Sequence, residues 1–244
     1  MIVLSVGMPR AGSGWYYNLA HDFIVGSGGQ DVHQIRKRFH LDKILTEVNC
    51  NIGVLSVRRL LAVLIPSILG NTFVIKAHAA PTPFVRTLIQ RNLIFAAYIY
   101  RDPRDALLSS FENGQRAREK GFQNAFSSLA NFDASLQFMQ EYIHVSEAWL
   151  DIPGALHTRY ESLVTDYDLE AERLLDFLQI EKTAPAVINV LQKYRPEQAA
   201  ADQKGLHFRK GKTGRFRLKM STEEQDSMNT TFASYLRKMG YDPQ

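Results

Sequence analysis

Cysteine is almost absent. Cys50 is the only one in 244 residues, which excludes an intrachain disulfide scaffold and any multi-cysteine metal site. Long hydrophobic runs are also lacking. The greasiest stretch, Leu60 to Leu69, is interrupted by Pro66 and falls well short of the ~20 residues that cross a bilayer. A signal peptide is not expected, because the apolar opening Met1–Val6 has no basic residue before it and Pro9-Arg10 ends it early. The expectation is a cytoplasmic protein with no membrane span. Repeats, low-complexity tracts and Pro/Gly/Ser linkers are missing, so a single domain over 1–244 is expected. Neither sign of charge dominates: 29 Lys and Arg face 25 Asp and Glu. That small excess suits an anionic small ligand and is too weak to imply nucleic acid. At 45% apolar and 22% charged residues, the composition excludes disorder.

What is present alternates between two patterns. Ile2–Val6, Thr72–Lys76 and Leu93–Tyr100 are short runs, apolar on both faces, as strands covered on two sides by helices require. Ala155–Tyr160 reads as a fourth. Helical patterns cover Trp15–Val25, Val54–Leu64, Pro103–Arg118, Phe122–Trp149, Leu169–Leu178, Pro185–Lys193 and Thr222–Met239. Pro81 and Pro103 suit a first helical turn, which tolerates a missing N–H. The alternation predicts an α/β domain with a central, mostly parallel sheet flanked by helices, binding ligands beyond the carboxyl ends of its strands.

The first strand runs into Gly7-Met8-Pro9-Arg10-Ala11-Gly12-Ser13-Gly14-Trp15 and then a helix. Glycines let successive N–H groups converge, and the helix N-terminus adds positive potential, which together cradle a phosphate. Gly7 and Gly12 have the spacing of a nucleotide-triphosphate loop, but Ser13-Gly14 stands where Lys-Ser/Thr is required. A magnesium-dependent ATPase is therefore disfavoured. A second anion site is expected at the third strand's end, where Arg101 precedes Asp102-Pro103 and Ser109 lies about two turns into the next helix. An Arg fork with a hydroxyl receives a dianionic phosphate, although an Arg-Asp capping network would use the same residues. Two such sites at adjacent strand ends imply a ligand with two separated phosphates. Gly205–Met220, rich in Arg, Lys and Gly, follows neither helical nor strand periodicity and reads as a basic loop.

Together these motifs resemble the sulfotransferase family, which moves a sulfuryl group from 3′-phosphoadenosine 5′-phosphosulfate (PAPS). Pro9–Trp15 is similar to the family's loop for the 5′-phosphosulfate, and Lys76-Ala77-His78 to the Lys-x-His of its cytosolic members. Arg101 with Ser109 resembles the 3′-phosphate motif, and Phe208-Arg209-Lys210-Gly211-Lys212-Thr213-Gly214 the loop that closes over that phosphate. Arg159-Tyr160-Glu161-Ser162-Leu163 resembles an element near the adenine. Arg10 stands where cytosolic members usually carry Lys, Gly14 replaces a Thr, and Gly214-Arg215-Phe216-Arg217 stands for Gly-x-Trp-Lys.

The resemblance implies a P-loop NTPase-like fold and PAPS as donor, with 3′-phosphoadenosine 5′-phosphate (PAP) as product. It implies His78 as general base, Lys76 on the transferring sulfuryl, and Arg10 on the leaving phosphate. Arg10, Ala11, Gly12, Ser13, Gly14, Trp15, Arg101, Ser109, Tyr160, Phe208, Arg209, Lys210 and Gly211 would bind the donor, with no metal. Glu47 is an alternative base. The acceptor is a hydroxyl, or an amine, on a small molecule or glycan. Its walls are expected from residues 30–69, 79–92 and 122–149. Phe84, Phe111, Phe122 and Phe126 favour an apolar acceptor, and Gln30, His33 and Arg36 a sugar. His33 and His40 lack metal-ligand spacing. A homodimer is left open. The rival readings are a nucleotide kinase with a degenerate loop and an inactive nucleotide-binding protein.

Overall fold

The computed structural model describes residues 1–201 and 211–242. Its centre is a sheet of β1 (Ile2–Gly7), β2 (Phe73–Ala77), β3 (Ile94–Tyr100) and β4 (Leu156–Arg159), all parallel, in the order β2-β1-β3-β4. Every residue of β1 and β2 is buried, because helices pack on both faces and leave no side for polar residues. β1 pairs with β2 on one side and β3 on the other, placing Ser5 opposite both Lys76 and Ala97. The chain therefore leaves β1 in one direction and crosses back in the other. That reversal opens a crevice at the strands' carboxyl ends, where α/β sheets bind ligands.

The helices are α1 (Ser13–Gly26), α2 (Val32–Arg38), α3 (Val57–Ile68), α4 (Pro83–Gln90), α5 (Pro103–Glu119), α6 (Phe132–Leu150) and α7 (Tyr160–Thr165). Then follow α8 (Tyr167–Leu178), α9 (Pro185–Lys193), α10 (Pro196–Ala201), α11 (Phe216–Lys219), α12 (Thr222–Thr231) and α13 (Ala233–Lys238). Where these depart from the sequence expectation, local polar chemistry is the cause. The long pattern from Phe122 begins its helix only at Phe132, because Asn131 caps Ala134. Before it, Arg118 donates to the carbonyls of Ser127 and Leu129 (both 3.0 Å), holding that stretch as turns. The helix expected at Val54 begins at Val57 behind the Ser56 cap. Pro103 opens α5 as expected, but Pro81 lies outside α4, whose cap is Thr82 and first residue Pro83. The last helical pattern divides at Phe232 into α12 and α13. Within the expected basic loop, Phe216 is fully buried and opens the short α11.

The main core surrounds the sheet. A second cluster, including Met8, Leu107, Leu108, Met139, Phe216, Met228 and Phe232, joins α5, α6, α11 and α12 beside the crevice. Among the described residues, no helix is long and apolar enough to cross a membrane.

Candidate functional site

A cavity of about 620 Å³ opens at the carboxyl ends of β1, β2 and β3. From β1 comes the turn Met8–Gly12. Arg10 and Gly12 both have left-handed backbone, with φ of 64° and 77°, a conformation uncommon for any residue but glycine. At Gly12 glycine is compulsory for a second reason: a Cβ would lie 2.7 Å from the ring of Tyr160. Gly12 then caps α1 with no side-chain hydrogen bond, and Tyr16 N–H is the first to close the helical ladder, on Gly12 O at 3.0 Å. The amides of Ser13 and Gly14 precede that ladder and line the cavity. With no acidic residue in the first turn, this is an anion-accepting helix end.

Lys76 and His78 come from the end of β2. The Lys76 backbone is gripped from outside the sheet, its N–H donating to Cys50 O (3.2 Å) and its carbonyl accepting from Ile52 (2.9 Å). This annexed segment brings Asn51 and Gly53, within the expected 30–69 stretch, to the cavity wall. The Lys76 side chain is buried and has no carboxylate within ion-pair distance among the described residues. Burial, and then the charge of Arg10, push its pKa down to about 8. His78 lies 2.7 Å from the Gly7 carbonyl through Nδ1. A carbonyl only accepts, so Nδ1 carries the proton and Nε2 keeps its lone pair. Burial and the Lys76 ammonium lower the imidazole pKa to about 4, so His78 is neutral at pH 7.

Arg101 directly follows β3 and is largely enclosed. Its guanidinium donates to Asp105 Oδ2 (3.1 Å), to Lys212 O (2.8 Å) and to Arg10 O (3.3 Å). It also lies 4.5 Å from the ring centre of Tyr160. Its Nε is buried without a hydrogen-bond partner. Asp105 accepts from the amides of Gly214 (2.7 Å) and Phe216 (3.1 Å). One ion pair thus fastens the 211–216 stretch over the cavity. The alternative Arg-Asp capping network exists beside it: Asp102 caps Arg104 N and pairs with that guanidinium at 2.8 Å. Glu161, held un-ionised more readily by burial, accepts from Asp102 N and Tyr241 OH, both at 3.1 Å.

Arg10, Gly12, Ser13, Gly14, Trp15, Lys76, His78, Arg101, Ser109, Tyr160 and Gly211 all line this one cavity. Arg10 does not stand apart from the second anion site. Its Nε donates to Ser109 Oγ at 3.2 Å, so the two arginines converge. Ala11 faces the other way, wholly buried in the second core cluster. Trp15 is fully buried and stacks on Tyr167 at 6.2 Å, anchoring α1 while its edge reaches the wall. Phe208, Arg209 and Lys210 lie outside the described residues. Glu47 is exposed and away from the cavity.

One wall residue, Glu112, escaped sequence reasoning, whereas Phe138 and Tyr142 fall within the expected 122–149 stretch and Lys212 and Arg215 within the basic loop. Glu112 pairs with Arg215 at 2.5 Å across 103 positions of sequence. Ser109 and Glu112 are one helical turn apart, the single local signal that could have exposed it. Phe126, expected near the acceptor, does line the cavity, whereas Phe111 lines a separate hollow and Phe122 is exposed. Phe126 comes close because Gly114 has no side chain; a Cβ there would sit 2.0 Å from Phe126 O. The sugar-binding candidates do not line it: Gln30 binds Thr72 N, His33 binds Asp31 and Arg36 binds Asp42.

A family model described as a sulfotransferase domain matches residues 71–240. A search among curated proteins found no match. Among solved structures, the chain is similar to retinol dehydratase in complex with androsterone and the inactive cofactor PAP. There the TM-score is 0.59 at 18% identity, over 96% of this chain and 80% of that one. It is also similar to the mouse sulfotransferase SULT7A1 complexed with PAP, with TM-score 0.61 at 12% identity, over 97% and 84%. At such identities the likeness establishes the fold: an α/β domain of P-loop-like type.

Proposed function

The chain belongs to the sulfotransferase family, and on that premise we propose that it transfers a sulfuryl group from PAPS to a hydroxyl, or an amine, of a small acceptor. The observation that carries the reading is the cavity itself. One space of about 620 Å³ gathers Arg10, Lys76, Arg101, Lys212 and Arg215 around a helix N-terminus, which is the donor set a doubly anionic nucleotide needs. The Nε of buried Arg101 makes no hydrogen bond and has only Glu161 Oε1 at 3.9 Å; that leaves an N–H able to take an anion at closer range, which supports one there. The PAP complexes of the similar structures agree with that donor.

In this reading the acceptor oxygen attacks sulfur in line, the sulfur–oxygen bond to the 5′-phosphate breaks, and that phosphate leaves with the electron pair. Such transfers are catalysed chiefly by positioning and by charge stabilisation. The Ser13 and Gly14 amides and Arg10 receive the growing phosphate charge. Lys76, protonated below its pKa of about 8, neutralises the equatorial oxygens. His78 accepts the acceptor's proton at Nε2, the atom left basic by the bond from Nδ1 to Gly7. Arg101, Ser109 and the Gly211 amide, together with Arg209 and Lys210, hold the 3′-phosphate, Phe208 belongs to the donor-binding loop, and Trp15 and Tyr160 border the adenine. Phe126, Phe138 and Tyr142 on the wall favour an apolar alcohol or phenol over a sugar.

The test is labelled-sulfate transfer from PAPS to a library of alcohols, phenols, sugars and amines, with thermal shifts for PAP and ATP alongside. Stabilisation by PAP exceeding that by ATP, with transfer to an apolar hydroxyl, is expected. Equal shifts for both nucleotides with magnesium-dependent ATP turnover would overturn the reading in favour of a kinase. PAP binding without transfer to any acceptor would leave only an inactive binder.

A further inference from the structure

Away from the cavity, three side chains from different places in the sequence converge. His21 lies in the second half of α1, Asp31 caps α2, and His33 follows in its first turn. One ligand atom from each lies within 4.8 Å of the other two. His21 Nε2 is buried, makes no hydrogen bond, and stands 3.4 Å from Asp31 Oδ1. That spacing is long for a hydrogen bond, but it matches the ligand-to-ligand edge of about 3.3–3.4 Å around a tetrahedral zinc bonded at 2.0–2.1 Å. His33 Nδ1 is 2.9 Å from the same carboxylate oxygen.

The surroundings of His21 are those of a metal-binding imidazole. Its Nδ1 donates to Asp22 Oδ1 at 3.0 Å, which fixes the tautomer and leaves Nε2 as the free donor. Asp22 is itself held by Lys193 (2.7 Å) and Tyr194 OH (2.8 Å). Carboxylates bonded to the far nitrogen of a ligating histidine orient the ring in this way. Asp31, by contrast, has no Lys or Arg within ion-pair distance among the described residues. Its Oδ1 accepts from His33 N at 2.8 Å, so the charges facing this carboxylate come from the two imidazoles and a helix N–H and not from a fixed cation. The Tyr17 hydroxyl, one turn before His21 on α1, is also buried without a hydrogen-bond partner, and its ring centre is 6.0 Å from that of His21.

We propose that His21, Asp31 and His33 bind a divalent cation of the zinc type, which fastens α1 to the start of α2. Two imidazoles and a carboxylate suit Zn²⁺ better than a hard ion such as Mg²⁺ or Ca²⁺. Ligation through His33 Nδ1 moves the proton it shares with Asp31 to Nε2, the tautomer that leaves Nδ1 a lone pair for the metal. The site lies about 12 Å along the α1 axis from Ser13, at ~1.5 Å per residue, so its role is to brace the helix whose N-terminus faces the cavity.

Calorimetry on the full chain, stripped with EDTA and titrated with zinc chloride, tests the site without any donor or acceptor. Failure would therefore leave the sulfotransferase reading untouched. One Zn²⁺ per chain is expected, with a raised melting temperature and, for Co²⁺, the visible absorption of a four-coordinate ion. His21→Asn and His33→Asn should each weaken binding at least a hundredfold. Asp22→Asn, which frees the His21 ring without removing a ligand, should weaken it about 10–100-fold. His144→Asn, on a side chain 82% exposed, should change nothing. His33 is also well exposed, at 43%, so its variant decides the matter even if His21→Asn does not fold. Absence of saturable binding, or wild-type affinity in folded His33→Asn, would overturn the proposal.

Discussion

The two cationic ends of the cavity are built on opposite principles. At the β2 end, Lys76 is buried with no carboxylate near it among the described residues, and its pKa falls to about 8. At the β3 end, Arg101 is matched by Asp105, whose side chain is only 1% exposed, and Arg215 is matched by Glu112. The first end keeps an uncompensated charge, held in place by backbone pairing inside a rigid sheet. The second spends its charges on internal pairs that also fasten a stretch more than a hundred residues distant. An isolated buried cation waits for an anion from outside, whereas a paired one is chiefly a clamp. The difference is consistent with the proposed chemistry at Lys76 and His78, and with Arg101 fastening the 211–216 stretch.

The sharpest way to break this contrast is at His78. His78→Ala should lower the rate of sulfuryl transfer by about 10²–10⁴, with PAP affinity unchanged by calorimetry. A variant of normal rate would remove the base from the reaction. Arg101→Ala should act mainly on the fold, because it strands buried Asp105. A loss of about 3–5 kcal/mol in denaturant unfolding is expected, together with weaker PAP binding. Weakened PAP binding at unaltered stability would mean that Arg101 is a ligand alone and not a clamp. Gly12→Ala forces a Cβ into Tyr160 at a φ of 77°. It should weaken PAP binding by about 1–3 kcal/mol, read by thermal shift and calorimetry.

The pH profile of kcat/KM sharpens the other half of the comparison. In the proposed mechanism His78 acts when neutral and Lys76 when charged, so the profile should be flat between about 4 and about 8. It should fall roughly tenfold per unit beyond either edge. Loss of the alkaline limb in Lys76→Arg would tie that limb to Lys76; its persistence would assign it elsewhere. The smallest effect belongs to Glu47→Gln. That side chain is exposed and outside the cavity, so activity should match the parent, and a large loss would return the carboxylate to the mechanism.

Much of the architecture was readable before folding. The strands at Ile2, Phe73 and Ile94 announce themselves because a strand covered on both faces admits only apolar residues, and that constraint is local. The helix after Gly12 was equally legible from its glycine turn. Phe122–Phe132 misled because apolar periodicity says nothing of where Asn131 and Arg118 direct their hydrogen bonds. Ala11 misled differently: its place in a phosphate-binding motif is a property of the backbone, while its methyl group belongs to the second core. Glu112 stood out only by lying one turn from Ser109, and although Arg215 sat in a quoted motif and Asn51 in the expected 30–69 wall, their partners were not legible. Each reaches the cavity through a partner distant in the chain.

Sequence alone determined the strand-turn-helix at the N-terminus, the placement of Lys76-Ala77-His78 at the carboxyl end of β2, and the family, because each depends on spacings within a few residues. Folding alone decided which charges would be left over. Whether a buried cation is a clamp or a receptor depends on whether a carboxylate is folded against it and on what that carboxylate holds in turn. For Arg101 that carboxylate is one turn away on α5 and tied to Gly214 and Phe216; for Lys76 none arrives.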